Sequence, residues 1–362
     1  MPETPPVLDL GATSTEITRV LCDLESVSGN EAGIADLIER ALTGLDHLEL
    51  TRNGDAIVAR TTLGRERRVV IAGHLDTVPV NGNLPTRFET IEGVDHLWGR
   101  GTADMKAGVA VQLKLAAELT APPIDVTWIW YDHEEVESAL NGLGRLARET
   151  PELLEGDFAI LGEPTNADVE GGCNGTLRVE LRTTGVRAHS ARSWAGHNAI
   201  HDLAPALAVL AAYEPREVEV DGLVYREGLN AVAISGGVAS NVIPDEGVLT
   251  VNYRFAPSRS GDAAVAHLRE LFAGFELTVT DVADGARPGL DAPLALGFLR
   301  AVGGEAKPKY GWTDVARFSA LGIPAVNYGP GDPLTAHADD ERVPLAQIEA
   351  CERGLREWLS TS

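Results

Sequence analysis

The chain has 362 residues, 44% hydrophobic and 23% charged, which is the composition of an ordinary globular protein and excludes a disordered or fibrous one. Its length exceeds the roughly 100 to 200 residues of one compact core, so two domains are expected. A formal net charge of -24 excludes nucleic acid and anionic membranes as expected partners, because both need a concentrated positive surface.

The N-terminal MPETPPVLDLGATSTEI carries acids and prolines where a secretory signal would have a basic stretch and an apolar run. Thr13 and Glu16 make a capping-box pair, and Ile17, Val20, Leu21 and Leu24 then mark an amphipathic helix. Val69–Ala72, Val126–Tyr131, Asp157–Leu161 and Pro324–Tyr328 are short apolar runs, read as strands of a largely parallel sheet covered on both faces. Met105, Val109, Leu113 and Ala116 form one helical stripe, and Leu345, Ile348, Leu355 and Trp358 another. The expected fold class is α/β, with a layered domain made from residues 1–175 and 287–362.

Residues 176–286 have another rhythm. Leu177, Val179 and Leu181 alternate with charged residues, a helix is expected from Asn198 to Leu210, and strands at Asn230–Ile234 and Val248–Phe255 follow. A helix at Ala263–Phe272 and alternating Phe275, Leu277 and Val279 complete the order βαββαβ, a ferredoxin-like inserted domain. Cys22, Cys173 and Cys351 are odd in number and far apart, which fits a reducing cytoplasm, and no apolar run approaches the roughly 20 residues of a membrane span.

Ligands of open α/β sheets sit beyond the carboxyl ends of the strands. Those ends carry His74 and Asp76, then Glu134 and Glu135, then Glu163, and finally His337, while Asp104 opens the helix after Gly99-Arg100-Gly101-Thr102-Ala103. Each alone has an ordinary explanation as an N-cap or a solvated loop residue; their shared rim points to metal. Imidazoles with excess carboxylates suit two Zn2+ ions per subunit, with Co2+ as a substitute. His74 and Glu163 are expected on one ion, Glu135 and His337 on the other, and Asp104 between them. Asp76 is expected to accept the second ring N–H of His74. Glu134, on the opposite side of an extended backbone from Glu135, is the candidate general base.

The segments HLDTVP (His74–Pro79), GRGTADMKAG (Gly99–Gly108), HEE (His133–Glu135) and LGEPT (Leu161–Thr165) resemble those of the metallohydrolase family of acetylornithine deacetylase, aminoacylase, glutamate carboxypeptidase and succinyl-diaminopimelate desuccinylase. The resemblance spans nearly the whole chain. It implies the same ligand set and a cis peptide after Asp104. It also implies a homodimer formed through the inserted domain, with His189 reaching the partner's site to stabilise the oxyanion. Asn241 and Arg254 resemble the family's substrate-carboxylate contacts, and the segments holding Thr313 and Gly329 resemble loops that close over substrate with free backbone N–H groups. Lys307, Lys309 and Arg317 flank these loops as an expected local positive cluster. GWTDVARF and NYGPGDPLTAHADDE are most similar to the desuccinylase branch, which implies N-succinyl-LL-2,6-diaminopimelate as substrate. Cys173-Asn174-Gly175-Thr176 departs from that branch, which has an Arg-rich turn there. A deacylase or peptidase of the same family, and a binding protein that has lost catalysis, are the competing readings.

Overall fold

In the computed structural model, which describes residues 7–361, the chain divides into two compact units. The N-terminal stretch read against a secretory signal begins in residues 1–6, outside the described residues. No helix among the described residues is long and apolar enough to cross a membrane.

The first unit comprises residues 7–171, 288–307 and 317–361. Strands Arg68–His74, Asp125–Tyr131, Phe158–Leu161 and Ala325–Asn327 run parallel at the centre of its main sheet. All seven residues of Asp125–Tyr131 are buried, as a strand covered on both faces requires. Helices Ser14–Asp23, Lys106–Glu118 and Leu345–Thr361 contribute Ile17, Leu21, Val109, Leu113, Ile348 and Trp358 to one apolar core with the sheet. The register aligns His74 with Tyr131 and Ala72 with Leu161, so neighbouring strands end level with one another.

Local signals held to different degrees. Thr13 Oγ1 accepts the Glu16 N–H at 3.2 Å, but the Glu16 carboxylate takes Arg19 Nε at 3.0 Å, so only half of the capping box forms. The expectation from sequence omits the hairpin of Glu49–Asn53 and Ala56–Arg60, although Asn53-Gly54 is a strong turn signal and Gly54 has φ of 61°. That hairpin extends the sheet antiparallel to Asp125–Tyr131.

The second unit comprises residues 172–287 and 308–316. Its four-stranded antiparallel sheet has the order Gly228–Gly236, Glu246–Phe255, Gly175–Thr184, Glu276–Ala283. Helix Gly261–Leu271 precedes the last strand, which completes the split βαββαβ pattern. Leu177, Val179 and Leu181 meet Leu249, Val251 and Tyr253 in its core. The single helix expected from Asn198 to Leu210 is instead two, Ala199–Asp202 and Ala204–Ala211, because Pro205 can neither donate to the preceding turn nor pack over it.

Candidate metal centre

In the first unit, each central strand delivers a donor at its carboxyl end. His74 is the last residue of its strand and is buried. Glu134 and Glu135 follow Tyr131, Glu163 follows Leu161, and His337 lies in the loop between Asn327 and Arg342. Asp104 precedes helix Lys106–Glu118 across a cis Asp104–Met105 peptide.

Three groups of donor atoms result among the described residues: His74, Asp104 and Glu163; Asp104, Glu135 and His337; and His74, Glu134 and Glu135. Within each group the atoms lie within 4.8 Å of one another. Asp104 is shared by the first two. It bridges the histidines directly, with Oδ1 at 3.1 Å from His74 Nε2 and Oδ2 at 3.3 Å from His337 Nε2. His337 Nε2 is also 2.9 Å from Glu135 Oε1. Imidazole nitrogen and carboxylate oxygen in triads of this size are the donor chemistry that a pair of borderline divalent ions takes, so the residues fit such a centre.

Hydrogen bonds donated to the Asp104 and Glu135 carboxylates push the His337 imidazole up to about 10. Burial alone would lower His74, but its bonds to Asp104 and Asp76 outweigh that and raise it. Burial would likewise raise Asp104, and the two histidines hold it below the usual carboxylate range instead.

Two expectations change in detail. The nearer partner of His74 Nδ1 is the main-chain carbonyl of Asp76 at 3.0 Å, with carboxylate Oδ1 at 3.5 Å. The Asp76 carboxylate mainly holds the next loop, accepting the N–H groups of Glu134 and Glu135 at 3.0 Å each and Ser28 Oγ at 2.6 Å. Glu134 does not face away from Glu135. Residues 132–137 bend instead of running extended, with His133 at φ of 58°, so strand alternation does not apply and both carboxylates approach His74.

Sequence reasoning missed the residues that hold the ligand loops. Glu341, fully buried, accepts the N–H groups of both Ala103 and Asp104 at 3.0 Å and takes Arg100 Nη1 at 2.7 Å. Asp132 pairs with Arg145 through two contacts of 2.7 and 3.0 Å, and Glu31 accepts the His133 N–H at 3.1 Å. The only signal for Glu341 is an acidic run after His337, which reads as a solvated surface until burial is known.

Close backbone approach places Glu163. A Cβ on Gly108 would lie 2.2 Å from the Gly162 carbonyl oxygen, and one on Gly329 would lie 2.2 Å from the same atom. Both contacts are with backbone, which cannot swing aside. Gly108→Ala is therefore expected to cost about 1–3 kcal/mol of stability and to weaken metal uptake, measured by chemical denaturation and metal titration. Unchanged values in both would show that the Glu163 strand end has room to move.

Gly329 itself is a correction. Its N–H donates to Thr165 Oγ1 at 3.1 Å, and the Gly331 N–H donates to Gln347 Oε1 at 2.8 Å, so neither is free to meet an anion as expected. The expected cationic cluster is also reduced, because Lys307 Nζ is paired with Asp168 at 2.5 Å.

His189, Asn241, Arg254 and Thr313 lie in the second unit. His189 is exposed, bridges to Val242, and accepts the Ala191 N–H on Nδ1 at 3.1 Å, while Asn241 O accepts the Ser190 N–H at 2.9 Å. Arg254 is half-buried with Nε on Asn252 Oδ1 at 3.2 Å. Thr313 is buried, and its carbonyl accepts Cys173 Sγ at 3.6 Å.

Comparison with known proteins adds the following. Residues 70–361 match the model of peptidase family M20/M25/M40. The chain is 55% identical over 356 residues to a putative succinyl-diaminopimelate desuccinylase of Mycobacterium tuberculosis, covering 98% of this chain and 99% of that one. It is 47% identical over 369 residues to the succinyl-diaminopimelate desuccinylase of Corynebacterium glutamicum, covering 99% of each. Among solved structures, a tripeptidase from Staphylococcus aureus aligns with TM-score 0.77 at 20% identity, covering 98% of this chain and 99% of that one. A dinuclear metal-binding peptidase from Bacillus subtilis aligns with TM-score 0.69 at 16% identity, covering 96% of each chain.

Proposed function

The chain belongs to peptidase family M20/M25/M40, and from that premise we propose that it hydrolyses N-succinyl-LL-2,6-diaminopimelate to succinate and LL-2,6-diaminopimelate. The observation that carries the chemistry is the pair of donor triads sharing Asp104 at the strand ends. The substrate assignment is supported by the 55% and 47% identities over nearly the full length. From that assignment we further infer a role in diaminopimelate and lysine biosynthesis, in the cytoplasm.

His74 and Glu163 would hold one Zn2+, Glu135 and His337 the other, with Asp104 common to both. When bound, the ions supply Lewis acidity toward the amide carbonyl and bring a water pKa down to about 7. Glu134 stands outside both triads that contain Asp104 but beside their donors His74 and Glu135, where a general base would sit. As water oxygen adds to the succinyl carbonyl carbon, Glu134 takes a water proton; as the C–N bond breaks, it passes that proton to the departing amine. Asp76 keeps Glu134 in place through its main-chain N–H.

In the second unit, Arg254 offers a planar fork to a substrate carboxylate, with Asn241 and Thr313 as polar contacts. A homodimer through this unit would let His189 serve the partner's site, where an oxyanion donor is worth about 3 kcal/mol of barrier. The edge strand Gly228–Gly236, which exposes Val232 and Ile234, supports such an interface.

One observation favours a second reading, a different N-acyl-amino-acid deacylase. Asn174 stands in the turn where the desuccinylase branch carries Arg, its N–H on the Lys309 carbonyl at 3.2 Å and Nδ2 on the Arg226 carbonyl at 3.0 Å. Matched succinyl and acetyl substrates on diaminopimelate and ornithine separate the two. Succinate release is expected to lead in kcat/KM by at least about 100-fold. Faster acetate release, or cleavage of dipeptides at a similar rate, would overturn the assignment.

A further inference from the structure

The loops that carry Asp104 and His337 are distant in sequence, yet one buried ion pair touches both. Glu341 Oε1 accepts the Asp104 and Ala103 N–H groups at 3.0 Å, and its Oε2 takes Arg100 Nη1 at 2.7 Å. Arg100 Nη2 then reaches the main-chain carbonyl of His337 at 3.4 Å. The pair is almost without solvent, at 4% and 1% side-chain exposure, so solvent screening does not weaken it. The His337 ring meets only the other two donors of its triad, Glu135 at 2.9 Å and Asp104 at 3.3 Å; its side chain is 54% exposed and its backbone has φ of 64°.

We propose that Arg100 and Glu341 are a positioning pair that sets the Asp104–Glu135–His337 metal position and governs its affinity far more than that of the His74–Asp104–Glu163 position. This rests on the two-ion reading above. Asp104, held by Glu341, is common to both positions, so the asymmetry rests on the Arg100 contact with His337. His74 is fixed by its own strand and by the Asp76 carbonyl, and Glu163 by the glycine packing of its strand end. His337 depends on the loop that Arg100 holds. Groups that orient metal ligands typically change affinity 10- to 100-fold when altered.

The test is calorimetric titration of metal-free protein with Co2+, read as two affinities, together with thermal unfolding. The parent should take up two ions. Arg100→Lys should lose 10- to 100-fold at one position and stay within about threefold at the other, and Glu341→Gln, which also loosens the shared Asp104, should weaken both but that same position more. His337→Ala should weaken the same position, and its effect should be smaller when added to Arg100→Lys than in the parent, because the two act through one loop. Asp125→Asn gives the control for structural damage. That buried carboxylate accepts the N–H groups of Leu63 and Arg65 at the opposite end of the sheet, so its loss should lower the unfolding temperature and leave both affinities intact. Unchanged affinities in both pair variants, equal loss at both positions, or a like loss in Asp125→Asn would overturn the proposal. A parent that takes up fewer than two ions would instead overturn the two-ion reading, before any variant is compared.

Discussion

Glu134→Gln is expected to lower turnover by at least about 10³-fold while leaving metal content unchanged. The substitution keeps the size and polarity of the side chain but removes its ability to accept a proton. Its main-chain N–H still bonds Asp76 Oδ1 at 3.0 Å, so the loop that also carries Glu135 stays anchored. KM should change little, because proton transfer is needed in the transition state and not for binding. Metal analysis beside steady-state kinetics checks both halves. Retained turnover would remove Glu134 as the base, and lost metal would make it a ligand, as its nearness to His74 and Glu135 permits.

Removing metal should abolish activity, and adding Zn2+ or Co2+ should restore it, with protons released on uptake. In metal-free protein His337 is held up to about 10 by Asp104 and Glu135, and His74 is raised once Asp104 and Asp76 offset its burial. The His337 imidazole therefore carries a proton at pH 7, and a metal can bind only the neutral ring. The sign follows: protons compete with metal, so affinity should fall as pH falls, and the heat of uptake should vary with the ionisation enthalpy of the buffer. These raised values also stabilise the folded metal-free chain fully below the unfolded imidazole pKa of about 6.5. That contribution should fade as pH rises through about 10 for His337. Heats independent of buffer would contradict the pairing.

Much of the first unit was legible because its signals are local. The runs around Val70, Ile129 and Ile160 each read as a buried strand, and each proved to be one. The rule that ligands gather at strand ends points to His74, Glu135 and Glu163, since a strand's direction fixes which end faces the site. The order of elements in residues 176–286 likewise gave the split motif. What failed were inferences needing backbone direction at single residues. Alternation puts Glu134 on the side opposite Glu135, yet the backbone bends at His133, and the loop of Gly329 reads as offering a free N–H that Thr165 takes.

By itself, then, the sequence determined the donor types and the strands that present them, because hydrophobic periodicity and residue chemistry are written locally. Only the tertiary structure decided that Asp104 lies between two histidines, that Asp76 mainly holds the loop of Glu134 and Glu135, and that Arg100 and Glu341 join loops far apart in the chain. The physical reason is burial. An acid such as Glu341 in a polar run looks solvated in sequence, and only folding takes it out of water and obliges the surrounding N–H groups and guanidinium to satisfy it.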